Sequence, residues 1–300
     1  MNNLKSKIKY KGIDSAFDIL VNILLFAALL IVLYPLYLVV IASFSDPDAL
    51  INGEVRFWPV EITLLGYQKI FRDAKIWIGY KNTVIYTVLG TAINVVITLM
   101  AAYPLSRKSF RYRSHFMVFF MITMYFGGGL IPTYLVSLKL GLVDNWLVMV
   151  VSGAVTVWNL IVTRTYYQTT IPEELFEAAS IDGSSHLYFF TRVVIPLSSA
   201  IIAVNTLYYG VGHWNEFFTA LIYLRRKELF PLQLVLREIL IQNRIEADAM
   251  EGLFHTEDFQ KTVELMKYST IIVSSLPVMI LYPFLQKYFV RGVVVGALKG

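Results

Sequence analysis

A polar stretch between two long apolar runs, 170–196, carries the residues best suited to contact another molecule. Thr170 and Glu173 stand three residues apart, the spacing of a capping box, which predicts that a short helix begins here. Gly183 predicts a left-handed turn that ends this helix, and Ser184 can cap a second short helix. The sequence therefore predicts two short helices that form a compact knob at the end of an apolar run.

The side chains of the knob have the chemistry of a docking surface. Leu175, Ala178 and Ala179 are spaced to share one helical face, on which the two alanines allow another protein to approach closely. The carboxylates of Glu177 and Asp182 lie beside this face and can pair with cations of that protein. The candidate docking residues are Glu177, Ala178, Ala179, Asp182, Gly183 and Pro196.

A second group of polar and aromatic side chains lies inside the apolar runs, where a polar group needs a partner or water. These residues are Asn159, Asn205, Trp214, Asn215 and Glu216. They suit a hydroxyl-rich solute, because aromatic rings stack on its C–H surfaces and amides bond its hydroxyls. The alternative is a bond between helices, worth about 0.6 kcal/mol. A helix–helix bond is at least as well supported for Asn159. The cluster Trp214-Asn215-Glu216, which follows Gly210 and Gly212, favours a solute path.

The chain lacks the sequence patterns of an active site. It contains no G-x-x-x-x-G-K-[ST] phosphate loop, no nucleophile elbow and no cysteine. Its four histidines stand far apart, without metal-ligand spacing. We therefore predict no catalytic residue, no metal site and no cofactor bound by this chain, so any ATP hydrolysis takes place on another polypeptide.

The composition is that of a membrane protein. Hydrophobic residues make up 57% of the chain and charged residues 16%, against about 25% charged residues in soluble proteins. The net charge of +5 is distributed next to apolar runs, which argues against binding to nucleic acid. The N-terminus lacks the cleavage site of a signal peptide, so we expect none to be removed.

Six apolar runs are long enough to cross a bilayer as helices, which predicts an all-α polytopic protein. The runs cover about 19–42, 84–105, 116–138, 146–163, 193–224 and 269–286. The predicted layout is a tail at 1–18, one transmembrane domain at 19–290 and a second tail at 291–300. Glycines at 127–129 predict an irregular third span, and Gly210 and Gly212 predict an interrupted fifth span.

The orientation in the membrane follows from where the cations cluster. The six predicted spans place the 26 Lys and Arg residues in equal numbers on the two sides of the membrane. Those of one side cluster in the N-terminal tail and in the tight loop 107–113, whereas those of the other side spread over longer segments such as 225–267. Since clustered cations mark the cytoplasmic side, we expect both termini and the knob in the cytoplasm and 225–267 outside.

The knob resembles the EAA loop of ATP-binding-cassette (ABC) importer permeases in residues and spacing. Glu177-Ala178-Ala179, Gly183 and Ile195-Pro196 match its fixed points, and EAASIDGSS is similar to the carbohydrate-uptake, maltose-type branch. GGGLIPTYLVSLKLGLVDN is similar to the branch for larger saccharides, and Trp214-Asn215-Glu216 and the stretch 286–300 also resemble family segments. The resemblance covers most of the chain from residue 116 onward, while the first hundred residues match only in pattern.

The resemblance implies a function and a set of partners. The chain would have the type I importer permease fold and take up a carbohydrate, most simply an oligosaccharide, by alternating access across the plasma membrane of a prokaryote. Its knob would be the coupling helix that sits in a groove of an ATPase. The implied partners are a second, homologous permease chain in a heterodimer, two ATPase subunits that bind ATP and magnesium, and an extracytoplasmic solute-binding protein.

Three alternatives stay open at this point. The solute can be other than a sugar, because EAA loops also serve amino acids, metals and peptides. A secondary transporter driven by an ion gradient would need an intramembrane carboxylate, for which Glu216 is the candidate. A membrane scaffold without transport would leave the glycine-broken third span and the Trp214 cluster unexplained.

Overall fold

The computed structural model describes residues 12–250, 265–280 and 283, and side chains within 17–241 and the two later ranges. The described chain is helical and contains no β-strand. Its helices are α1 Gly12–Ala42, α2 Pro47–Ile51, α3 Leu65–Arg72, α4 Ala74–Ser106, α5 Arg113–Tyr125, α6 Leu130–Lys139, α7 Val148–Val151, α8 Val157–Thr170, α9 Glu173–Ile181, α10 His186–Phe189, α11 Ile195–Leu197, α12 Ser199–Trp214, α13 Phe218–Tyr223, α14 Leu232–Met250 and α15 Leu265–Ile280. The predicted C-terminal tail and the family-like ending 286–300 lie outside the described residues, as does most of the predicted N-terminal tail.

The chain divides into two compact units. Of the described residues, the first comprises 12–70, 243–250 and 265–272, and the second comprises 71–242, 273–280 and 283. In the first unit α1 presents apolar side chains outward along most of Phe17–Ala42, whose most apolar window has none of its residues buried, while Ile41 and Ala42 at its end are buried. Such a surface is typical of a helix that lies in lipid.

The core of the second unit forms where α4, α8 and α12 pack together. Its buried apolar residues include Leu99 and Ala102 of α4, Leu160 and Tyr167 of α8, and Ile201 and Tyr209 of α12. Polar side chains in this core bond one another. The amide of Asn205 donates to the hydroxyl of Thr163 at 2.8 Å, and the hydroxyls of Thr98 and Tyr209 lie 2.7 Å apart. These hydrogen bonds link α4 and α8 to α12, so the three helices form a scaffold for the features below.

Two helices, Phe17–Ala42 and Ala74–Ser106, are long and apolar enough to cross a bilayer, and two bent helix pairs raise the number to four. The first bent pair is α5 and α6, which meet at 113°. The break contains Gly129 in a left-handed conformation, with φ at 83°, so the predicted irregularity of the third span is confirmed. The second pair, His186–Leu197 and Ser199–Trp214, meets at 80°.

The predicted interruption of the fifth span at Gly210 and Gly212 is wrong. Helix α12 continues through both glycines, and the bend falls earlier, at Ser198. A single helical glycine costs only about 1 kcal/mol, which packing against neighbouring helices can offset. The cause of the bend lies upstream, because Pro196 has no N–H to donate and stands two residues after the end of a π-helical stretch, Phe190–Val194.

The predicted fourth span is not one continuous helix. It is divided into α7 and α8 by a turn in which Gly153 has φ at 71°. The chain before α7 is held by Asp144, whose carboxylate accepts the backbone N–H groups of Arg225 and Arg226 and pairs with the Arg226 guanidinium at 3.0 Å. These backbone bonds, that of Arg226 first, hold the pKa of Asp144 below its usual range. Arg226 is thus tied to Asp144 and is not a free surface cation.

Candidate functional site

The knob has the predicted two-helix form. Helix α9 ends at Ile181, two residues before Gly183, and Gly183 adopts the predicted left-handed conformation with φ at 74°. The cap of the second helix is Ser185, not Ser184, because the Ser185 hydroxyl accepts the N–H of Tyr188 at 3.2 Å. The two short helices therefore meet at a turn that favours glycine.

The predicted capping box is wrong. Thr170 is the last residue of α8, and α9 follows Pro172 without a side-chain hydrogen bond at its cap. The carboxylate of Glu173 instead lies 3.6 Å from the guanidinium of Arg107, just after the end of α4. A buried cation is a stronger partner for a carboxylate than a backbone N–H is, which explains the different arrangement.

Arg107 is the centre of the contact between the knob and α4. Its side chain is 4% exposed, and its guanidinium carbon lies 5.1 Å from the ring centre of Tyr103, 5.3 Å from Phe189 and 5.9 Å from Phe176. Cation–π contacts of this kind are worth about 2 kcal/mol when desolvated. Two of its nitrogens, Nε and Nη2, are buried without a hydrogen-bond partner among the described residues. The rings and Glu173 are therefore the partners that keep this cation in place.

His186 completes the contact. Its ring stacks on Phe176 with centroids 4.7 Å apart, and its Nδ1 lies 3.3 Å from the hydroxyl of Tyr103. We call Arg107, Tyr103, Phe176, His186 and Phe189 the arginine clamp. The clamp thus joins both short helices of the knob to the last turn of α4.

The predicted docking residues lie largely on the outer side of the knob. Glu177, Ala178, Asp182, Gly183 and Pro196 are exposed, whereas Ala179 is half-buried and packs against the core. Large apolar side chains also face outward on the knob. They are Leu175, Ile181, Leu187 and Tyr188, with exposures from 42% to 87%. A charged and apolar surface of this kind is typical of a protein contact.

A polar cavity of about 350 Å³ lies in the second unit, within the range of small-molecule sites. It is lined by Asn94, Met149, Ser152, Gly153, Thr156, Trp158, Asn159, Tyr208, Tyr209, Gly212, His213, Glu216 and Thr219. The Asn94 amide nitrogen lies 3.1 Å from Nε2 of His213, and the Glu216 carboxylate accepts the N–H of Thr219 at 2.8 Å. The Asn94 amide oxygen is buried without a hydrogen-bond partner among the described residues.

The structure brings two of the five predicted pathway residues into this cavity, Asn159 and Glu216. Asn205 is buried in the core, the Trp214 indole donates to the Ser274 carbonyl at 2.9 Å, and the Asn215 amide donates to the Val211 carbonyl. These positions favour a packing role for Asn205 and Trp214, whereas Asn215 is exposed and bonds a carbonyl of its own helix.

Some residues of the polar cavity and of the arginine clamp carry no signal in the sequence. His213 shows no metal-ligand spacing, and Tyr208 and Tyr209 look like ordinary apolar helix residues in the sequence. In the sequence, Arg107 is one of the clustered cations of the loop 107–113 that indicate the cytoplasmic side. Tyr103 stands only four residues before Arg107, but Phe176 and Phe189 come from segments far away in sequence, so local spacing does not indicate the whole clamp.

Comparison with known proteins gives three further findings. The profile of the family described as binding-protein-dependent transport system inner membrane component matches residues 76–295. Protein LplC of Bacillus subtilis (strain 168) is 34% identical over 90% of both chains. The polygalacturonan/rhamnogalacturonan transport system permease protein YtcP of the same organism is 34% identical over 95% of this chain and 98% of that protein.

A solved structure is similar over nearly the whole chain. It is a crystal structure of a bacterial ABC transporter involved in the import of the acidic polysaccharide alginate. One of its chains aligns with a TM-score of 0.82 and 32% sequence identity, over 93% of this chain and 99% of that chain. The described helices therefore have the arrangement found in an importer of this class.

Proposed function

The chain belongs to the family of binding-protein-dependent transport system inner membrane components, and on that basis we propose that it is the permease subunit of an ABC importer for an oligosaccharide. The observation that carries the proposal is the knob, an exposed charged and apolar surface clamped to the end of a membrane-crossing helix. Such a surface can receive force from another protein and pass it to the helices around the polar cavity. The family does not favour the ion-coupled alternative.

The saccharide class is inferred from relatives and from the cavity. YtcP is named for polygalacturonan and rhamnogalacturonan, and the similar crystal structure is of an alginate importer. The cavity offers amides, phenols, an indole and an imidazole, which suit the hydroxyls and C–H faces of a sugar. Among its described lining residues there is a carboxylate, Glu216, and no Lys or Arg. This lining favours neutral sugar units at this point of the path, even where other units carry acid groups.

The mechanism and the partners follow from the family. We infer six spans of the type I permease fold, a heterodimer with a second permease chain, two ATPase subunits and an extracytoplasmic solute-binding protein. In this proposal the ATPases bind ATP and magnesium, and this chain binds no cofactor. Closure of the ATPase pair moves the knob, the arginine clamp moves the end of α4, and the cavity changes the side from which it is accessible.

The orientation proposed here places the knob and both termini in the cytoplasm, as the clustering of Lys and Arg indicates. The knob and the cationic loop 107–113 lie at the same end of α4. This supports placing both on the same side of the membrane. The chain has no cysteine, so one introduced thiol reports its side without background. If the knob faced outward, Ala178→Cys would react with a membrane-impermeant maleimide in intact cells.

The transport function is tested with Trp158→Ala. Trp158 lines the cavity and is 58% exposed, so its removal should spare folding while removing a stacking surface for a sugar. We expect ATP-dependent oligosaccharide uptake by the wild-type complex in proteoliposomes, and about a fivefold higher KM for the variant, since aromatic stacking is worth about 1 kcal/mol. Neutral and uronate oligosaccharides should be compared in the same assay.

The matched control is Trp58→Ala, since Trp58 is 77% exposed and does not line the cavity. It should leave the KM unchanged. Failure of the wild-type complex to take up any oligosaccharide, with ATPase and binding protein present and active, would refute the proposed substrate class. Equal effects of both substitutions on the KM would instead show that the cavity is not part of the solute path.

A further inference from the structure

A second cavity, of about 400 Å³, lies beside the N-terminal end of α5 in the second unit. Two arginines line it, Arg113 and Arg164, together with Ser114. The Nε of Arg164 donates to the carbonyl of Leu105 at 3.0 Å, which places this cavity near the end of α4 that carries the arginine clamp. The proposed transport mechanism does not use these residues.

The polar end of this cavity is positively charged and lacks a counter-charge. Arg113 and Arg164 are both half-buried, and no Asp or Glu is among the residues that line the cavity. Neither arginine forms an ion pair within the described part of the chain. In addition, α5 begins at Arg113 without a side-chain cap, so the partial positive charge of its N-terminus adds to that of the guanidinium groups. An anion would be stabilised here.

The rest of the cavity is apolar and continues along α5. Met117, Val118 and Ile161 form its walls. The neighbouring surface of α5 is also apolar and open, with Phe119 60% exposed and Ile122 52% exposed. A ligand that fits must therefore carry an anionic group at one end and a hydrocarbon chain at the other.

We propose that this cavity binds an anionic phospholipid. Its phosphate lies between Arg113 and Arg164, within reach of the Ser114 hydroxyl, and an acyl chain lies along Met117 and Val118. The complementary charge selects anionic over zwitterionic lipids, because a zwitterionic headgroup brings its own cation to the two arginines. The lipid would hold the start of α5 beside α8, next to the end of α4.

The test measures lipid retained by the purified full chain after exchange into micelles that contain equal amounts of phosphatidylglycerol and phosphatidylcholine. Native mass spectrometry gives the ratio of the two bound lipids. We expect the wild-type chain to prefer phosphatidylglycerol, and the double variant Arg113→Gln/Arg164→Gln to lose about tenfold or more of that preference, as expected for two basic contacts. The matched control is Arg111→Gln/Arg192→Gln, which removes the same charge from two exposed side chains and should keep the preference.

A second variant covers the case in which the double substitution impairs folding. Ser114→Glu places a carboxylate in the first turn of α5, where a negative charge stabilises a helix, and it should displace the phosphate from the arginines. Equal lipid preference in wild type, Ser114→Glu and the arginine variant would overturn the proposal. Displacement of the lipid by inorganic phosphate at equal concentration would show a site for free anions instead. Exclusion of the lipid once the partner permease is bound would show a protein contact and also overturn the proposal.

Discussion

Glu177→Lys and Gly183→Val are each expected to abolish uptake while the chain still inserts in the membrane. Glu177 is exposed on the knob, so the reversed charge meets the partner's cation, and an interfacial charge pair that loses one member costs about 2–5 kcal/mol. Gly183 has φ at 74°, and a Cβ in this left-handed region costs about 1–2 kcal/mol. The measurement is uptake together with co-purification of the ATPase.

Two control variants separate docking from general damage. A Cβ on Gly183 would meet no atom within 4 Å, so the effect of valine arises from backbone strain and from bulk on the docking surface. Asparagine tolerates the left-handed conformation, and Gly183→Asn should therefore retain more activity than Gly183→Val. Glu228→Lys makes the same charge change on an exposed residue near the opposite end of α4 and should leave uptake intact. Full ATPase binding and normal uptake in both Glu177→Lys and Gly183→Val would show that the knob only links two helices and does not dock the ATPase.

Arg107→Ala is expected to uncouple ATP hydrolysis from transport. The substitution removes the cation that holds Glu173 and three aromatic rings, while the exposed docking surface of the knob is unchanged. We expect ATPase co-purification within about twofold of wild type, and at least a tenfold loss in solute molecules transported per ATP hydrolysed, since lost buried contacts of this type cost about 2 kcal/mol. A simple loss of folded complexes would lower uptake and hydrolysis together and would leave this ratio unchanged.

Two graded variants identify which contact of the clamp matters. Glu173→Gln breaks the ion pair but keeps the guanidinium among the rings, and Arg107→Lys keeps the charge but loses the planar group. Both should be less severe than Arg107→Ala. Lys108→Ala removes the neighbouring exposed cation and should have no effect. A wild-type ratio of transport to hydrolysis in Arg107→Ala would show that the clamp does not transmit movement.

The parts of the knob that follow from one residue's own chemistry could be predicted from the sequence. Gly183 was predicted to be left-handed because glycine adopts that conformation without steric cost, and the break at 127–129 follows from the same property. The outward placement of Glu177 and Asp182 followed from charge alone. The capping box failed because the partner of Glu173 is Arg107, which is remote in sequence and buried by folding.

The residues that line the polar cavity could also be predicted only in part, because their placement depends on contacts between helices. Asn159 and Glu216 were predicted as pathway residues because polar groups in apolar runs are costly, and both line the cavity. The same rule also selected Asn205 and Trp214, which satisfy their polar groups within the protein. The free-energy cost of a polar side chain in an apolar span does not tell whether that side chain faces a solute or a neighbouring helix. That depends on how the helices rotate about their axes when they pack. The predicted break at Gly210 and Gly212 failed for a related reason, since packing holds α12 continuous there.

The central claim is that the knob docks the ATPase and transmits its movement, and a crosslink from the knob tests it most directly. Ala178 is exposed on α9, and Ala178→Cys supplies the chain's one thiol for a photoactivatable crosslinker. In membranes that contain the whole importer, the account predicts a crosslink to the ATPase subunit that changes in yield when ATP is bound. Crosslinking to the solute-binding protein, or none to the ATPase in a complex that transports, would contradict it.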